Sequence, residues 1–379
     1  MSVKAAAEVS ALATLAKNVG RTWTAIDACA ADSEAQRQRI VGALQSEKLV
    51  QSDCSFIVSG SLARNEFTPG PEKKDDGKKD DQKTEGSDVD WTLLVDGEAD
   101  PQHLPAIQKI ANVLADLGFK RPGPTALFGG LVFSHELVHV IGGDADTNKN
   151  LTRRLLLLLE SRMLDEASNV RERVMRNIFR RYLDEDRGYH AVHDLKIKVP
   201  RFLLNDISRF WRTMAVDYAA KRRERAWSGW AIRNVKLRLS RKLIFVAGLV
   251  MSLSCQLCPP DSVKKDGLSE ADFYAALNEF MREFTNRTPL EVLAGFCLHF
   301  DTEGEASCLI FDNYDRFLSI LRDYDKRSRL EIMDLEDAIG DPVFEEARTV
   351  GDGFQAGLDK LFFDTKPDLQ KATQRYGVF

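Results

Sequence analysis

Two aspartates, Asp88 and Asp90, are well placed in this sequence to bind a cation. They alternate with apolar residues in the run Ser87-Asp88-Val89-Asp90-Trp91. Because successive side chains of a β-strand point to opposite faces, both carboxylates should leave the same face of one strand. Adjacent carboxylates repel each other unless a cation lies between them, and their hard oxygen atoms suit Mg²⁺ or Mn²⁺. The pair therefore predicts a divalent metal site.

A small-residue turn, Gly60-Ser61, lies earlier in the same stretch. It follows β-branched and aromatic residues that predict a strand, and it precedes residues that favour a helix. The first N–H groups of such a helix have no partner within it and can bind a phosphate. We expect Ser61 and the backbone after Gly60 to hold the β- and γ-phosphates of a nucleotide, with help from Arg64. Glu66 would orient the loop.

Taken in order, Gly60-Ser61 and Ser87-Asp88-Val89-Asp90 resemble the signature of the polymerase-β-type nucleotidyltransferase superfamily. The fuller run Gly-Ser-Leu-Ala-Arg-Asn-Glu-Phe-Thr-Pro-Gly, continued by Ser-Asp-Val-Asp, is most similar to the branch that contains the PII-protein uridylyltransferase. Residues 71–86 interrupt the usual spacing with a low-complexity, charge-mixed insert, which predicts a solvated, disordered loop. Either half of the signature alone is also common elsewhere, but the two in order favour the resemblance.

The resemblance implies an α+β fold, in which a polymerase-β-like nucleotidyltransferase domain with a mixed sheet precedes an all-α helical domain. The chain of 379 residues is long enough for two or three domains. We expect N-terminal helices in 1–50 that pack on the catalytic domain, the catalytic domain in 51–165, and the helical domain in 166–379. The implied reaction moves an NMP from an NTP to an acceptor hydroxyl, with Mg²⁺ or Mn²⁺ as cofactor and pyrophosphate as product. The acceptor stays open between protein, RNA and small molecule.

The superfamily resemblance also implies a third carboxylate. The matching place, near Phe128-Gly129-Gly130, carries no acid. Residues 127–141 are rich in Val, Phe and Gly and predict one or two strands, and we assign the third carboxylate to Glu136 because strand-like residues flank it. The same stretch reads His135-Glu136-Leu137-Val138-His139. On a strand the two histidines would lie roughly 13 Å apart, too far for one zinc, so we reject a zinc protease.

A basic segment later in the chain is the candidate for phosphate binding. Residues 196–242 contain fourteen Lys and Arg against three acidic residues. A helix there would present four side chains near one face and turn Lys236 away. The predicted nucleotide ligands are therefore Asn234, Arg238, Arg241 and Lys242. Two alternatives stay open: the segment could bind an RNA or DNA backbone with its interleaved aromatics, or be a solvated helix whose aromatics belong to the core.

The remaining features suggest a location and two rival functions. Six scattered cysteines and an N-terminus without a signal-peptide pattern predict a cytoplasmic protein with reduced thiols. The apolar run 243–253 is too short to span a bilayer, so no membrane partner is expected. The isolated pair Cys255 and Cys258 is more typical of half-buried thiols than of a zinc site. The rival functions are a nucleotide or RNA sensor without the third carboxylate and a nucleotide-second-messenger synthase.

Overall fold

The structure is a computed structural model that describes residues 10–45, 53–70, 87–123, 127–164, 168–187, 198–224, 229–264 and 267–377. The insert predicted at 71–86 lies outside these residues. Within them the chain is largely helical and carries a small four-stranded mixed sheet, which confirms the α+β class.

The chain starts with α1 (Ala11–Val19) and α2 (Thr24–Gln45) and then enters the sheet. The sheet region contains, in chain order, β1 (Cys54–Ser59), α3 (Ser61–Arg64), β2 (Asp90–Val95), α4 (His103–Asp116), β3 (Gly130–Phe133), α5 (Ser134–Val138), α6 (Asn148–Leu159) and β4 (Ser161–Met163). The later elements are α7 (Val170–Arg187), α8 (Arg201–Glu224), α9 (Trp230–Lys236), a first π turn (Leu237–Arg241), α10 (Lys242–Leu257), α11 (Asp261–Lys264), α12 (Glu270–Thr285), α13 (Pro289–Phe300), α14 (Glu305–Arg322), α15 (Tyr324–Ile332), α16 (Leu335–Ala338), α17 (Pro342–Asp359), a second π turn (Lys360–Asp364) and α18 (Pro367–Tyr376).

The sheet has the strand order β3-β2-β1-β4. Strand β1 runs antiparallel to both of its neighbours, and β2 runs parallel to β3. The register pairs Ser59 with Asp90 on one side and with Ser161 on the other. Since neighbouring strands lie about 4.8 Å apart, one end of the sheet brings the Gly60 turn, Asp90 and the start of β4 together.

Helices cover both faces of the sheet, so β1 is buried along its whole length. Phe56 and Trp91 belong to a core with side chains of α2 and α4. Ile57 and Leu94 belong to a second core with α6 and α7. Of the N-terminal helices, α2 contacts α3 and α4 but also α14, whereas α1 packs on α13. The prediction that these helices pack on the catalytic domain therefore does not hold for α1.

The predicted strands at 127–141 are wrong beyond Phe133. Strand β3 ends where its parallel partner β2 ends, with Val95 opposite Phe133, so no ladder remains for the next residues to join. They form α5 instead, and His135 and His139 stack on one turn with ring centroids 5.0 Å apart. The predicted separation of roughly 13 Å between these two histidines is therefore also wrong. Among the described residues, however, no third His, Cys, Asp or Glu completes a metal site with these histidines.

One helical run, Trp230–Lys264, is long and apolar enough to cross a membrane by length and composition alone. Its most apolar window is 67% buried inside the protein, as in the central helix of a folded domain. The run is therefore weak evidence for a membrane span. Its CxxC pair consists of free thiols, buried Cys255 and half-buried Cys258.

Candidate active site

A cleft of about 850 Å³ lies where the end of the sheet meets α6, α8, α15 and the first π turn. This volume is within the usual range for a small-molecule site. The predicted site residues that line the cleft are Gly60, Ser61, Arg64, Asp88, Asp90 and Arg241. Residues from distant parts of the chain thus meet around one volume.

The aspartate pair has the predicted alternation. Val89 and Trp91 are buried in the core, and Asp88 and Asp90 point to the cleft. Gly60 has a positive φ of 72°, which disfavours any residue with a side chain. A Cβ on Gly60 would also lie 2.8 Å from Asp90 Oδ2. Glycine is therefore required here both for the turn and for the close approach of the carboxylate.

Burial and repulsion raise the pKa of Asp90 from 3.8 to about 7. Burial is the largest cause, followed by the charges of Glu160 and Asp88, while Arg64 and Lys236 act in the opposite direction. A divalent cation would relieve this repulsion, and carboxylate oxygens are the donors that Mg²⁺ and Mn²⁺ prefer. The residues present fit such an ion.

Arg64 is held by two buried carboxylates. Its Nε and Nη2 donate to Glu66 Oε2 at 2.9 and 2.8 Å, and its Nη1 donates to Glu160. Tyr314 of α14 donates its hydroxyl to Glu66 Oε1 at 2.6 Å. Burial raises the pKa of Glu160 against the opposing effect of Arg64. Glu66 therefore orients Arg64 and connects the Gly60 turn to the helical part of the molecule.

Two cations of the cleft have acidic residues near them but pair with none of those described: Glu331 acts on the pKa of Lys236, and Asp217, Glu160 and Asp90 act on that of Arg241. Lys236 and Arg241 both line the cleft, and within the described part of the chain neither makes a hydrogen bond or an ion pair. Burial lowers the pKa of Lys236 to about 8 and also lowers that of Arg241. A pKa of about 8 leaves Lys236 largely charged at neutral pH, and an arginine side chain stays charged in proteins. Two cations in a cleft that make no ion pair are suited to bind an anion such as a phosphate chain.

The first π turn explains why the predicted basic face is partly wrong. In an α-helix, residues four apart share a face, but the i→i+5 bonding of a π turn brings residues five apart together. Lys236, predicted to turn away, therefore lines the cleft together with Arg241. The other predicted ligands lie outside the lining: Asn234 donates to Tyr218 Oη at 3.1 Å, Arg238 to Asp352 at 3.1 Å and Lys242 to Gln355 at 2.5 Å.

Glu136 does not join the aspartate pair. It lies on α5, outside the cleft lining, and its Oε2 is 3.4 Å from Arg153 Nη1. Phe128 lines the cleft together with Asp90, and extending the parallel register of Thr92 with Gly130 by two residues would place it opposite Asp90. Gly129 N donates to Trp91 O at 2.7 Å.

Besides the aspartate pair, the cleft lining contains the acids Glu66, Glu160, Asp217 and Glu331. Glu160 is the one whose charge acts most strongly on Asp90, although its sequence context predicts only the end of a helix. It lies between α6 and β4, only 6% exposed, beside the end of β1. The sequence predicts one helix through 164, but α6 stops at Leu159 and Ser161–Met163 pairs with β1. No local signal marks so short a strand. Apolar side chains of the adjacent helices, Leu156, Phe210, Met214 and Ile244, also line the cleft, together with polar Thr213 and Asp217.

A separate cluster at the other end of β1 joins Asp53, Cys54 and His103, with ligand atoms within 4.8 Å of one another. His103 Nδ1 accepts the N–H of Asp100 at 3.3 Å, and Nε2 lies 3.3 Å from Asp53 Oδ2. His103 is buried and Asp53 is half-exposed, and Nε2 makes no hydrogen bond within the described residues. Binding of a metal through Nε2 would need Nδ1 to carry the ring proton, but Nδ1 accepts. We therefore interpret the cluster as a His–Asp contact and not as a metal site.

Comparison with known proteins adds no relative to this picture. No known family, curated protein or solved structure matches the chain. The residues and geometry of the cleft are therefore the basis on which a function is assigned.

Proposed function

We propose that this protein is a divalent-metal-dependent nucleotidyltransferase, which transfers an NMP from an NTP to an acceptor hydroxyl. One observation carries the proposal: the carboxylates of Asp88 and Asp90 share a cleft with Lys236 and Arg241, two cations that make no hydrogen bond or ion pair within the described residues. Metal ligands together with phosphate ligands are what catalysis of phosphoryl-type transfer requires, since it depends mainly on positioning and charge stabilisation. The cytoplasmic location remains part of this proposal.

Six residues of the cleft have roles in this reaction. Asp88 and Asp90 would hold the Mg²⁺ or Mn²⁺ ion, which when bound would neutralise phosphate charge and activate the acceptor oxygen. Lys236 and Arg241 bind the triphosphate, and Ser61 adds a hydroxyl. We give the role of third carboxylate to Glu160 in place of Glu136, because Glu160 lines the same cleft and its charge acts on Asp90 more strongly than that of Asp88.

The transfer exchanges one phosphorus–oxygen bond for another. The acceptor oxygen bonds to the α-phosphorus, and the bond from that phosphorus to the oxygen bridging the α- and β-phosphates breaks. The acceptor hydroxyl releases its proton to solvent, and pyrophosphate leaves. Lys236 and Arg241 stabilise the charge that accumulates on the leaving group, because fixed cations in a cleft need no reorganisation.

A second candidate, a non-catalytic nucleotide sensor, is favoured by Phe128. This apolar side chain lines the cleft, and it belongs to the segment where the resemblance implies an acid. A protein that uses only Asp88 and Asp90 would still bind a metal–nucleotide complex. It would show binding without turnover.

An experiment with labelled nucleotides separates the two functions. The purified protein is incubated with each α-labelled NTP and Mn²⁺, alone and with protein, RNA or small-molecule fractions, and the products are resolved by size and charge. A transferase moves label from the NTP to one acceptor class, and the double variant Asp88→Asn/Asp90→Asn does not. Asp144→Asn, which changes an exposed aspartate outside the cleft, is the matched control. Nucleotide binding without label transfer from any NTP would support the sensor.

A further inference from the structure

Asp88 lies just outside the hydrogen-bond ladder of the sheet. The ladder between β1 and β2 begins at the pair Ser59–Asp90, and Asp88 is exposed in the cleft two residues earlier. The sheet alone therefore does not fix the carboxylate of Asp88 next to that of Asp90. A contact made by the preceding residue, Ser87, supplies this constraint.

That contact joins Thr68 and Ser87, and we call it the Thr68–Ser87 clasp. Ser87 N donates to Thr68 O at 2.9 Å, and Thr68 N donates to Ser87 Oγ at 3.1 Å. The two hydroxyl oxygens lie 3.0 Å apart. Thr68 is only 2% exposed, so the clasp is largely shielded from competing water. Since Ser87 directly precedes Asp88, the clasp limits where Asp88 can lie.

Arg327 of α15 reaches the clasp from the helical part of the molecule. Its Nη1 donates to Thr68 Oγ1, and its Nε donates to Glu331 Oε1 at 2.8 Å. The side chain is nearly buried. Thr68 Oγ1 therefore contacts both the guanidinium of Arg327 and the hydroxyl of Ser87. The guanidinium thereby connects the clasp to α15.

We propose that Arg327 is a positioning residue for metal binding, which acts through the Thr68–Ser87 clasp to hold Asp88 beside Asp90. The inference rests on the proposed metal site at these aspartates. It makes metal affinity in the sheet domain depend on a side chain of the helical domain. Residues that only stabilise the fold would not show this dependence.

The test measures Mn²⁺ affinity without nucleotide, from the paramagnetic resonance signal of free Mn²⁺, together with thermal unfolding. Thr68→Val keeps the shape of the side chain but removes the hydroxyl, and we expect it to weaken Mn²⁺ binding about three- to tenfold, as the loss of about one hydrogen bond implies. Arg327→Met should have a similar effect, and the double variant should be little worse, because both changes break the same path.

Two controls separate positioning from stability. Thr68→Ser restores the hydroxyl and should recover the parent affinity. Arg329→Met changes an arginine of the same helix that pairs with Asp341 instead of contacting the clasp, and it should leave Mn²⁺ affinity unchanged.

A variant that lacks residues 71–86 gives the most specific test of the clasp. It would join Gly70 to Ser87 and give the sequence Thr68-Pro69-Gly70-Ser87, in which the hydrogen bond from Ser87 N to Thr68 O closes a four-residue turn. Proline and glycine occupy the two central positions that a type II turn favours. Because the covalent turn then holds Asp88, Thr68→Val should cost less affinity in the deletion variant than in the parent.

The outcomes distinguish this inference from the proposed function. A parent protein whose Mn²⁺ binding is absent, or unchanged in Asp88→Asn/Asp90→Asn, overturns the metal site and the clasp proposal with it. If the parent binds Mn²⁺ at the aspartates but Thr68→Val and Arg327→Met bind equally well, only the clasp proposal fails. A Thr68→Ser variant as weak as Thr68→Val also overturns the clasp proposal.

Discussion

In the metal-free cleft, burial and two neighbouring carboxylates make the ionisation of Asp90 unfavourable. Its carboxylate lies against Gly60 and close to Glu160 and Asp88, with Arg64 and Lys236 as partial compensation. Without a cation, ionising Asp90 opposes folding. This cost has a measurable dependence on pH.

Replacing Asp90 by Asn should stabilise the metal-free protein most at higher pH. The folded pKa of Asp90 is about 7, against 3.8 ordinarily. The folded state therefore binds the proton more tightly, and the free energy of unfolding falls as pH rises from about 4 to 7. Asn carries no charge, so Asp90→Asn should gain roughly 1–3 kcal/mol over the parent at pH 8 and far less at pH 4, since the cleft is partly solvated.

Denaturant unfolding with EDTA at several pH values measures this difference. Asp144→Asn, at an exposed site, is the control and should show no such trend. A gain for Asp90→Asn that is equal at pH 4 and pH 8 would contradict the assignment of repulsion to Asp90.

The two arginines of the first π turn should differ in their effect on nucleotide binding. Arg241→Ala removes a cation that lines the cleft, and we expect NTP affinity to fall by about 1.5–3 kcal/mol, as for a charged hydrogen bond. Arg238→Ala is the matched control, because Arg238 pairs with Asp352 outside the cleft. Calorimetric titration of Mg·NTP measures both. Equal losses for the two variants would place the phosphates elsewhere.

Some residues of the cleft could be found from the sequence and others could not. Gly60, Asp88 and Asp90 were predictable because turn chemistry and period-two alternation are local properties. Lys236 was not, because its direction depends on a π turn that the α-helical period does not indicate. Glu160 was not, because it reaches the cleft only through the pairing of β4 with β1.

At the scale of elements, the residues on either side of segment 71–86 are hydrogen-bonded to each other in the folded protein. Thr68 and Ser87 are hydrogen-bonded through backbone and side chain, so the insert leaves and re-enters at one point. Lengthening or shortening a loop that is closed at its base changes the closure entropy only slowly.

Deletion of 71–86 should therefore leave the fold intact. The expected change in unfolding free energy is about 1 kcal/mol, and nucleotide binding should persist. Thermal unfolding and Mg·NTP titration check both. A type II turn would require a positive φ at Gly70. Gly70→Ala should therefore destabilise the deletion variant; a deletion variant that fails to fold would show that the insert is structural.

Local signals predicted many elements correctly. Pro101 and Gly118 indicate the start and the end of a helix, which is α4. Ser269 and Thr288 cap α12 and α13 with their side chains, as their sequence context indicates. The short elements α5 and β4 were missed. Both are decided by where the sheet ends and which strand pairs at its edge, which are non-local properties.

At the scale of the whole molecule, helices from the C-terminal part complete a cleft that starts at the sheet. Tyr314 reaches Glu66, and Arg327 reaches Thr68, so two contacts from different helices converge on the segment between β1 and β2. The position of α1 on α13 could not be read from the sequence, because an amphipathic helix does not indicate which surface it covers.

The shape of the cleft predicts a shallow dependence of NTP binding on salt. Backbone binding to a polynucleotide releases counterions, and affinity then falls by about 0.7–0.9 log units per contact for each tenfold rise in salt. A triphosphate held by Lys236 and Arg241 in a cleft should show a shallower slope. Titrations of NTP and a generic RNA oligomer at several salt concentrations compare the two. Tight RNA binding with a steep slope, together with NTP affinity that Arg241→Ala does not change, would favour the polynucleotide alternative.

The most direct test of the central claim follows the α- and γ-phosphates of one NTP separately. The protein is incubated with Mn²⁺, its acceptor fraction and NTP labelled at either position, and the fate of each label is measured with time. Nucleotidyl transfer predicts that the α label joins the acceptor while the γ label appears in pyrophosphate at the same rate, and that Asp88→Asn/Asp90→Asn stops both. Release of the γ label as inorganic phosphate, or bound NTP from which neither label ever leaves, would contradict the account.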